Sequence, residues 1–210
     1  MHLDSTNHPS VVTYVATRTS FGTLIHAGSV IFVVALTAAA AHVSIPLPFT
    51  PVPLTIQPLV VLLGGAVLGW RLGATAQLVY LLAGASGLPV FAVAPELPPG
   101  LLRLLGPTGG YLLGFPLAAA VTGLLAERGL DRRWRSHLLS IFVGLATIYA
   151  CGVTRLAYGP PAPLGLPLAL SLGFYPFVAA DIIKVAIAAG LLPGLWRFLG
   201  YNQVSPGPAD

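Results

Sequence analysis

Charged residues are scarce in this sequence of 210 residues. Lysine and arginine together number 10, aspartate and glutamate number 6, and charged residues make up 8% of the chain, whereas 56% is hydrophobic. So few charges cannot cover a water-soluble surface, and the mean hydropathy is +0.86. The scarcity excludes a soluble globular protein and predicts that the lipid bilayer surrounds the chain.

Cysteine and lysine occur only once each, and each scarcity excludes a kind of site. With Cys151 as the single cysteine, neither an internal disulfide nor a cysteine-based metal site can form. The sole lysine, Lys184, does not stand in a glycine-rich turn, so the chain has no phosphate-binding loop and is not an ATPase. No His-Glu-x-x-His run exists, and we expect neither a metal nor a cofactor.

The apolar runs predict an all-α integral membrane protein. A crossing helix needs about 20 apolar residues, so the length holds roughly six crossings. Interruptions by proline, glycine or charge place the crossings near 22–43, 56–69, 70–88, 108–127, 137–157 and 172–198. The polar segment 1–20 has no cleavage site of a signal peptide and precedes a six-helix membrane domain, 21–200. The tail 201–210 is predicted to be disordered.

The basic residues predict the orientation in the membrane. Four arginines crowd the connection after the fourth crossing: Arg128, Arg132, Arg133 and Arg135. Cytoplasmic loops carry such an excess, so both termini are expected in the cytoplasm and the loop after the first crossing outside. Because the basic residues lie in short breaks rather than on one exposed face, they do not indicate nucleic-acid binding.

Asp181 and Lys184 stand inside the last apolar run. Charge within a membrane is costly and usually functional, and residues three apart share one helix face. Phe174 and Phe177 fall on that same face, which favours a ligand-binding wall. The alternative is an ion pair that holds helices together.

Prolines 46, 48, 51 and 53 interrupt the segment 45–58, which follows the first crossing. They forbid a continuous helix, so the segment is expected to be extended or irregular. Irregular backbone at a membrane persists where it lines a cavity, and Phe49, Thr50 and Gln57 offer a stacking surface and hydrogen bonds. A pocket lid is one interpretation, and a rigid connector is the other.

Arg103 is the basic residue of the predicted outer loop that follows the third crossing, ahead of the glycine-rich stretch 106–110. A guanidinium can hold a carboxylate by paired hydrogen bonds. The alternatives are a solvated loop arginine or a partner of Glu96.

Two further patterns leave alternatives open. Gly84, Ala85, Ser86 and Gly87 mimic the motif of intramembrane serine proteases, in which Ser86 would be a nucleophile, but the sequence lacks a histidine base in a later helix. In the first crossing, Ala35 and Ala39 are small residues at helical spacing. They serve either ordinary packing or docking of another membrane protein.

Four separated motifs resemble one protein family. They are Pro48-Phe49-Thr50-Pro51-Val52-Pro53 with Gln57-Pro58, then Gly87-Leu88-Pro89-Val90-Phe91, then Gly106-Pro107-Thr108-Gly109-Gly110-Tyr111-Leu112, and Asp181-Ile182-Ile183-Lys184. In this order they resemble the BioY family, the biotin-specific S components of energy-coupling factor (ECF) transporters. The resemblance covers residues 21–199.

The resemblance implies a multi-pass protein of the bacterial inner membrane that captures biotin at its outer face and performs no covalent chemistry. It also implies a transmembrane coupling subunit and ABC-type ATPase subunits, which some members do without, and docking through Ala35 and Ala39. A binding subunit for a different small vitamin shares this architecture.

The resemblance further implies roles for individual residues. Asp181 would accept hydrogen bonds from the N–H groups of the ureido ring, and Lys184 would donate to its carbonyl. The aromatic candidates to sandwich the fused rings are Phe49, Tyr80, Tyr111 and Phe177. Arg103 or the backbone near Thr108 would meet the valerate carboxylate. Asparagine occurs only at Asn7 and Asn202, so any asparagine contact must pass to Gln77, Ser86 or water.

Overall fold

The computed structural model of the chain describes residues 8–92, 99–160 and 163–200, and these ranges are predominantly helical. Their helices are α1 (Val11–Ala16), α2 (Gly22–His42), α3 (Gln57–Leu68), α4 (Trp70–Ala85), α5 (Leu101–Leu105), α6 (Gly109–Glu127), α7 (Trp134–Tyr158), α8 (Leu166–Gly173) and α9 (Tyr175–Phe198). Strands β1 (Ser44–Ile45) and β2 (Leu54–Thr55) pair antiparallel, with Ser44 opposite Thr55. The predicted tail 201–210 lies outside the described residues.

Four helices are long and apolar enough to cross a membrane: α2, α6, α7 and α9. The two predicted crossings at 56–69 and 70–88 correspond to α3 and α4, which have 12 and 16 residues. The two helices are joined by a single residue, Gly69, whose φ of 84° is strained for any residue with a side chain. The coarse prediction of a helical membrane bundle is therefore confirmed.

The predicted crossing at 172–198 corresponds to α9, which begins three residues later, at Tyr175, and is one of the four long apolar helices. α8 ends at Gly173, and Phe174 has a non-helical conformation between the two helices. Pro176 explains the break, since proline has no N–H to continue a helical ladder from α8 into α9.

Helix α6 lies in the middle of the bundle, because small residues let its neighbours approach closely. A Cβ atom at Gly65 of α3 would stand 2.7 Å from the Cα of Ala119 in α6. On the other side of α6, a Cβ at Gly110 would stand 2.6 Å from the carbonyl oxygen of Cys151 in α7. At both crossings, backbone packs against backbone.

The two ends of the bundle differ in character. We call the end that carries Arg71, Arg128, Arg133 and Arg197 the arginine end; there α3 turns into α4, α6 leads into α7, and α9 finishes. At the opposite end, which we call the proline end, α2 leads into the two strands, and α6 and α9 begin. The prolines of the segment 45–58 lie at this second end.

A buried ion pair ties the N-terminal helix to the arginine end. The carboxylate of Asp131 accepts hydrogen bonds from Arg132 at 3.1 Å and from the indole N–H of Trp196 at 2.6 Å. Arg132 also donates to the carbonyl of Pro9 at 2.8 Å, and the ring of Tyr14 in α1 packs edge-on against Trp196. Burial raises the pKa of Asp131, and its two partners oppose that shift. Within the segment 1–20, Val11–Ala16 thus form a helix that is packed against the bundle, which the polarity of the segment did not predict.

Candidate functional site

A partly open cavity lies at the proline end, with about 660 Å³ of atom-free space that includes its open mouth. Its wall is mostly apolar, with residues such as Phe91, Phe115 and Leu145. The polar or charged side chains that line it come from five helices and a strand: Thr55, Gln57, Arg103, Thr108, Tyr111, Tyr149, Asp181 and Lys184. An apolar cavity with a few converging polar groups is typical of a specific ligand site.

Three side chains and one backbone carbonyl form what we call the carboxylate cluster: Tyr149, Asp181, Lys184 and the carbonyl of Thr55. The ammonium of Lys184 donates to Oδ1 of Asp181 at 2.7 Å and to the carbonyl oxygen of Thr55 at 2.7 Å. The hydroxyl of Tyr149 donates to Oδ2 of Asp181. Both carboxylate oxygens and the ammonium are therefore held in place by the protein.

The helix register explains the geometry of this cluster. Asp181 lies six residues after the start of α9, about 9 Å along the helix at 1.5 Å per residue. Lys184 follows one turn later on the same face and reaches across to β2. Asp181 is buried, and Lys184 is largely so. The two residues pair with each other, as the structural alternative required, and they also border the cavity.

The opposite part of the lining carries Arg103 and Thr108. Arg103 is only 6% exposed and donates to the carbonyl oxygen of Ala92 at 3.0 Å, so the interpretation as a solvated loop arginine is wrong. The second alternative was that Arg103 pairs with Glu96, and Glu96 lies outside the described residues. The hydroxyl of Thr108 is buried and has no hydrogen-bond partner among the residues that the structure describes. It stands at the N-terminus of α6, where backbone N–H groups favour negative charge.

Seven of the ten predicted ligand-binding residues line the cavity: Gln57, Arg103, Thr108, Tyr111, Phe177, Asp181 and Lys184. The other three lie outside the lining. Phe49 is 59% exposed in the turn between the strands. Thr50 donates to the carbonyl of Leu172 at 2.6 Å and so attaches this turn to α8.

Tyr80, the third of these residues, is fully buried one layer behind the cavity wall. Its ring packs against Phe91 and Phe115, which themselves line the cavity. Its hydroxyl accepts a hydrogen bond from Gln57 at 2.7 Å and donates to the carbonyl of Val90 at 3.1 Å. Tyr80 therefore supports Gln57 and Phe91 from behind.

Two aromatic residues, Tyr149 and Phe91, are among the lining residues that the sequence prediction did not include. Tyr149 was overlooked, although a hydroxyl-bearing aromatic in the middle of an apolar run is a usable signal. Phe91 belongs to one of the motifs that carry the family resemblance, but it was given no role. Phe174, which was expected on the same helix face as Asp181, instead packs edge-on against Tyr149 with ring centroids 4.9 Å apart.

Ser86, the residue on which the protease alternative depends, lies outside the cavity lining. It is exposed at the end of α4, and its hydroxyl donates to the carbonyl of Ala83 at 2.8 Å. Across the described ranges, no three His, Cys, Asp or Glu side chains come together as a metal site would require.

A helical membrane bundle with a mostly apolar cavity, into which a few polar groups converge, is typical of the class of small-molecule-binding membrane proteins. Residues 13–201 match the sequence profile of the BioY family, and the chain belongs to this family. The resemblance seen in the motifs is thereby confirmed, and the chain is a multi-pass membrane protein.

Named relatives agree with this assignment. The chain is 46% identical over 155 residues to the biotin transporter BioY of Thermotoga maritima, covering 74% of this chain and 86% of that protein. It is 40% identical over 164 residues to the biotin transporter BioY of Rhizobium etli, covering 75% and 83%. The crystal structure of the S component for biotin from an ECF-type ABC transporter superposes with a TM-score of 0.74 at 23% identity, covering 85% of this chain and 94% of the other. That likeness concerns the fold.

Proposed function

We propose that this protein is the biotin-binding subunit of a vitamin uptake transporter, which takes biotin from the outer face and releases it inside. The observation that carries the proposal is the carboxylate cluster, in which Asp181 and Lys184 border the mostly apolar cavity. The names of the relatives supply the identity of the vitamin.

The chemistry of biotin suits the lining. Its ureido ring presents two N–H donors, one on each side of a carbonyl acceptor. One N–H can meet the carboxylate of Asp181, and the carbonyl can meet the ammonium of Lys184. Tyr111 and Phe177 offer aromatic surface to the fused rings. At the other part of the lining, Arg103 and Thr108 are suited to the valerate carboxylate.

The proposed topology has six crossings, with the proline end outside and both termini in the cytoplasm. The exposed arginines at the arginine end support this topology, because the cytoplasmic loops of membrane proteins carry an excess of lysine and arginine. The short helices α3 and α4 would each cross with the help of local bilayer thinning.

For release of the vitamin we propose a transmembrane coupling subunit and ABC-type ATPase subunits as partners. The chain itself has no phosphate-binding loop, so energy must come from elsewhere. Ala35 and Ala39 are exposed on α2, where a second membrane helix can approach closely.

Isothermal titration of the purified protein in detergent tests the proposed ligand. Biotin should bind in roughly the nanomolar to micromolar range, desthiobiotin should bind more weakly because it lacks the second ring, and unrelated vitamins should give no heat. Saturable binding of another vitamin in place of biotin would favour the alternative of a different substrate.

The role of Arg103 can be tested by comparing a ligand that has a carboxylate with one that lacks it. Arg103→Gln should weaken biotin binding about 10- to 100-fold, because a charge-assisted hydrogen bond is lost. Biotin amide, which has no carboxylate, should bind the variant and the wild type nearly equally. Arg128→Gln, at the exposed arginine end, is the control. An equal loss for both ligands would show that Arg103 acts only through its bond to Ala92.

A further inference from the structure

Tyr149 holds one side of the carboxylate on which the proposed ligand would rest. It lies on α7, whereas Asp181 and Lys184 lie on α9. Its hydroxyl donates to Oδ2 of Asp181, and Lys184 donates to Oδ1. Because the two donors come from different helices, the carboxylate cannot turn without breaking one of these bonds.

The Tyr149 ring is itself held in place. Phe174 packs edge-on against it at 4.9 Å, and Tyr111 does the same at 6.4 Å between ring centroids. The hydroxyl of Tyr111 is in turn bonded to the carbonyl of Gly173 at 2.8 Å. The Tyr149 hydroxyl therefore meets Asp181 from a fixed direction.

The shape of a ureido ring limits which of its donors can reach this carboxylate. The two N–H groups of a five-membered ureido ring point to opposite sides of its carbonyl, so one of them can donate to Asp181. A ligand that lacks the N–H at this position would leave a buried acceptor unpaired, which is the strongest basis for rejecting a near-identical molecule.

On the basis of the proposed function, we propose that Tyr149 is a specificity-determining residue: it fixes the orientation of Asp181, so that the site selects a ring that presents an N–H donor to this carboxylate. Without the hydroxyl, the freed oxygen can turn towards Lys184. A ligand with a missing donor is then penalised less, because the carboxylate has another way to satisfy its lone pairs.

A cycle that combines Tyr149→Phe with a change in the ligand measures this effect. The two ligands are biotin and a cyclic carbamate analogue. Of the two possible analogues, each with one ring N–H replaced by oxygen, the one that the wild type binds more weakly is used, and affinities are measured by titration calorimetry. Tyr149→Phe should weaken biotin binding about tenfold and should lower the preference for biotin over the carbamate by a similar factor. A packing defect alone would weaken both ligands equally.

Two further variants separate the hydroxyl from the ring. Tyr158→Phe removes a hydroxyl that is exposed at the end of the same helix, so it should leave both affinities unchanged. Phe174→Leu keeps the Tyr149 hydroxyl but loosens the packing of its ring, and an intermediate preference is expected. This second variant also serves if Tyr149→Phe folds poorly.

The outcomes distinguish this inference from the proposed function. If wild-type protein binds biotin and the preference for biotin over the carbamate is the same in Tyr149→Phe, the role of Tyr149 is overturned while the proposed function stands. If the wild type binds no biotin, both are overturned.

Discussion

Asp181→Asn should weaken biotin binding at least about 30-fold, because removing one charge of a buried, hydrogen-bonded pair costs about 2–5 kcal/mol. Asparagine keeps the shape of the side chain but loses the negative charge, so its hydrogen bonds to the ligand are weaker. It also leaves the ammonium of Lys184 without its counter-charge. Titration calorimetry of the purified variant measures the loss.

The matched control is Ile183→Ala, since Ile183 lies on the same helix and is 63% exposed, away from the cavity. It should bind biotin as the wild type does. A thermal unfolding curve for each variant shows whether the fold is intact. Undiminished biotin binding in a folded Asp181→Asn protein would mean that Asp181 and Lys184 only join parts of the bundle, and the proposed binding mode would then be wrong.

Gly65→Ala should destabilise the bundle by about 1–3 kcal/mol, the usual cost of forcing extra volume into a packed interior. The new methyl group would lie 2.7 Å from the Cα of Ala119. Because the obstacle is backbone rather than a flexible side chain, α3 and α6 would have to separate. The expected result is a lower midpoint of thermal unfolding in detergent.

Gly190→Ala is the matched control for this packing prediction. Gly190 lies on α9, and a Cβ atom there would meet nothing within 4 Å. The substitution should leave the unfolding midpoint unchanged or raise it, because alanine favours a helix more than glycine does. Equal effects of the two substitutions would contradict the close approach of α3 and α6.

The class of fold and much of the site could be read from the sequence because both depend on local pattern. Apolar runs of sufficient length predict helices in lipid whatever their neighbours are. A charge inside such a run is conspicuous, so Asp181 and Lys184 were identified without a structure. Arg103 and Gln57 were found beside the prolines and glycines that interrupt the runs.

What the sequence did not predict depends on contacts between distant segments. Tyr149 meets Asp181 only because α7 and α9 lie side by side, and no spacing in the chain expresses that. Phe49 and Tyr80 have the right chemistry for stacking, but the turn exposes the first and the bundle buries the second behind Phe91. Helix α1 is held in place by contacts with Trp196 and its neighbours, so the polarity of the N-terminal segment does not predict that this helix packs against the bundle.

The bond between Lys184 and the carbonyl of Thr55 joins residues that lie 129 positions apart. At a synthesis rate of about 5–20 residues per second, the strand waits roughly 6 to 26 s for its partner to leave the ribosome. The carboxylate cluster is thus completed near the end of biosynthesis. A nascent chain that stops before the last helix can place most of its length in the bilayer and still lack Asp181 and Lys184, the charged pair of the proposed site.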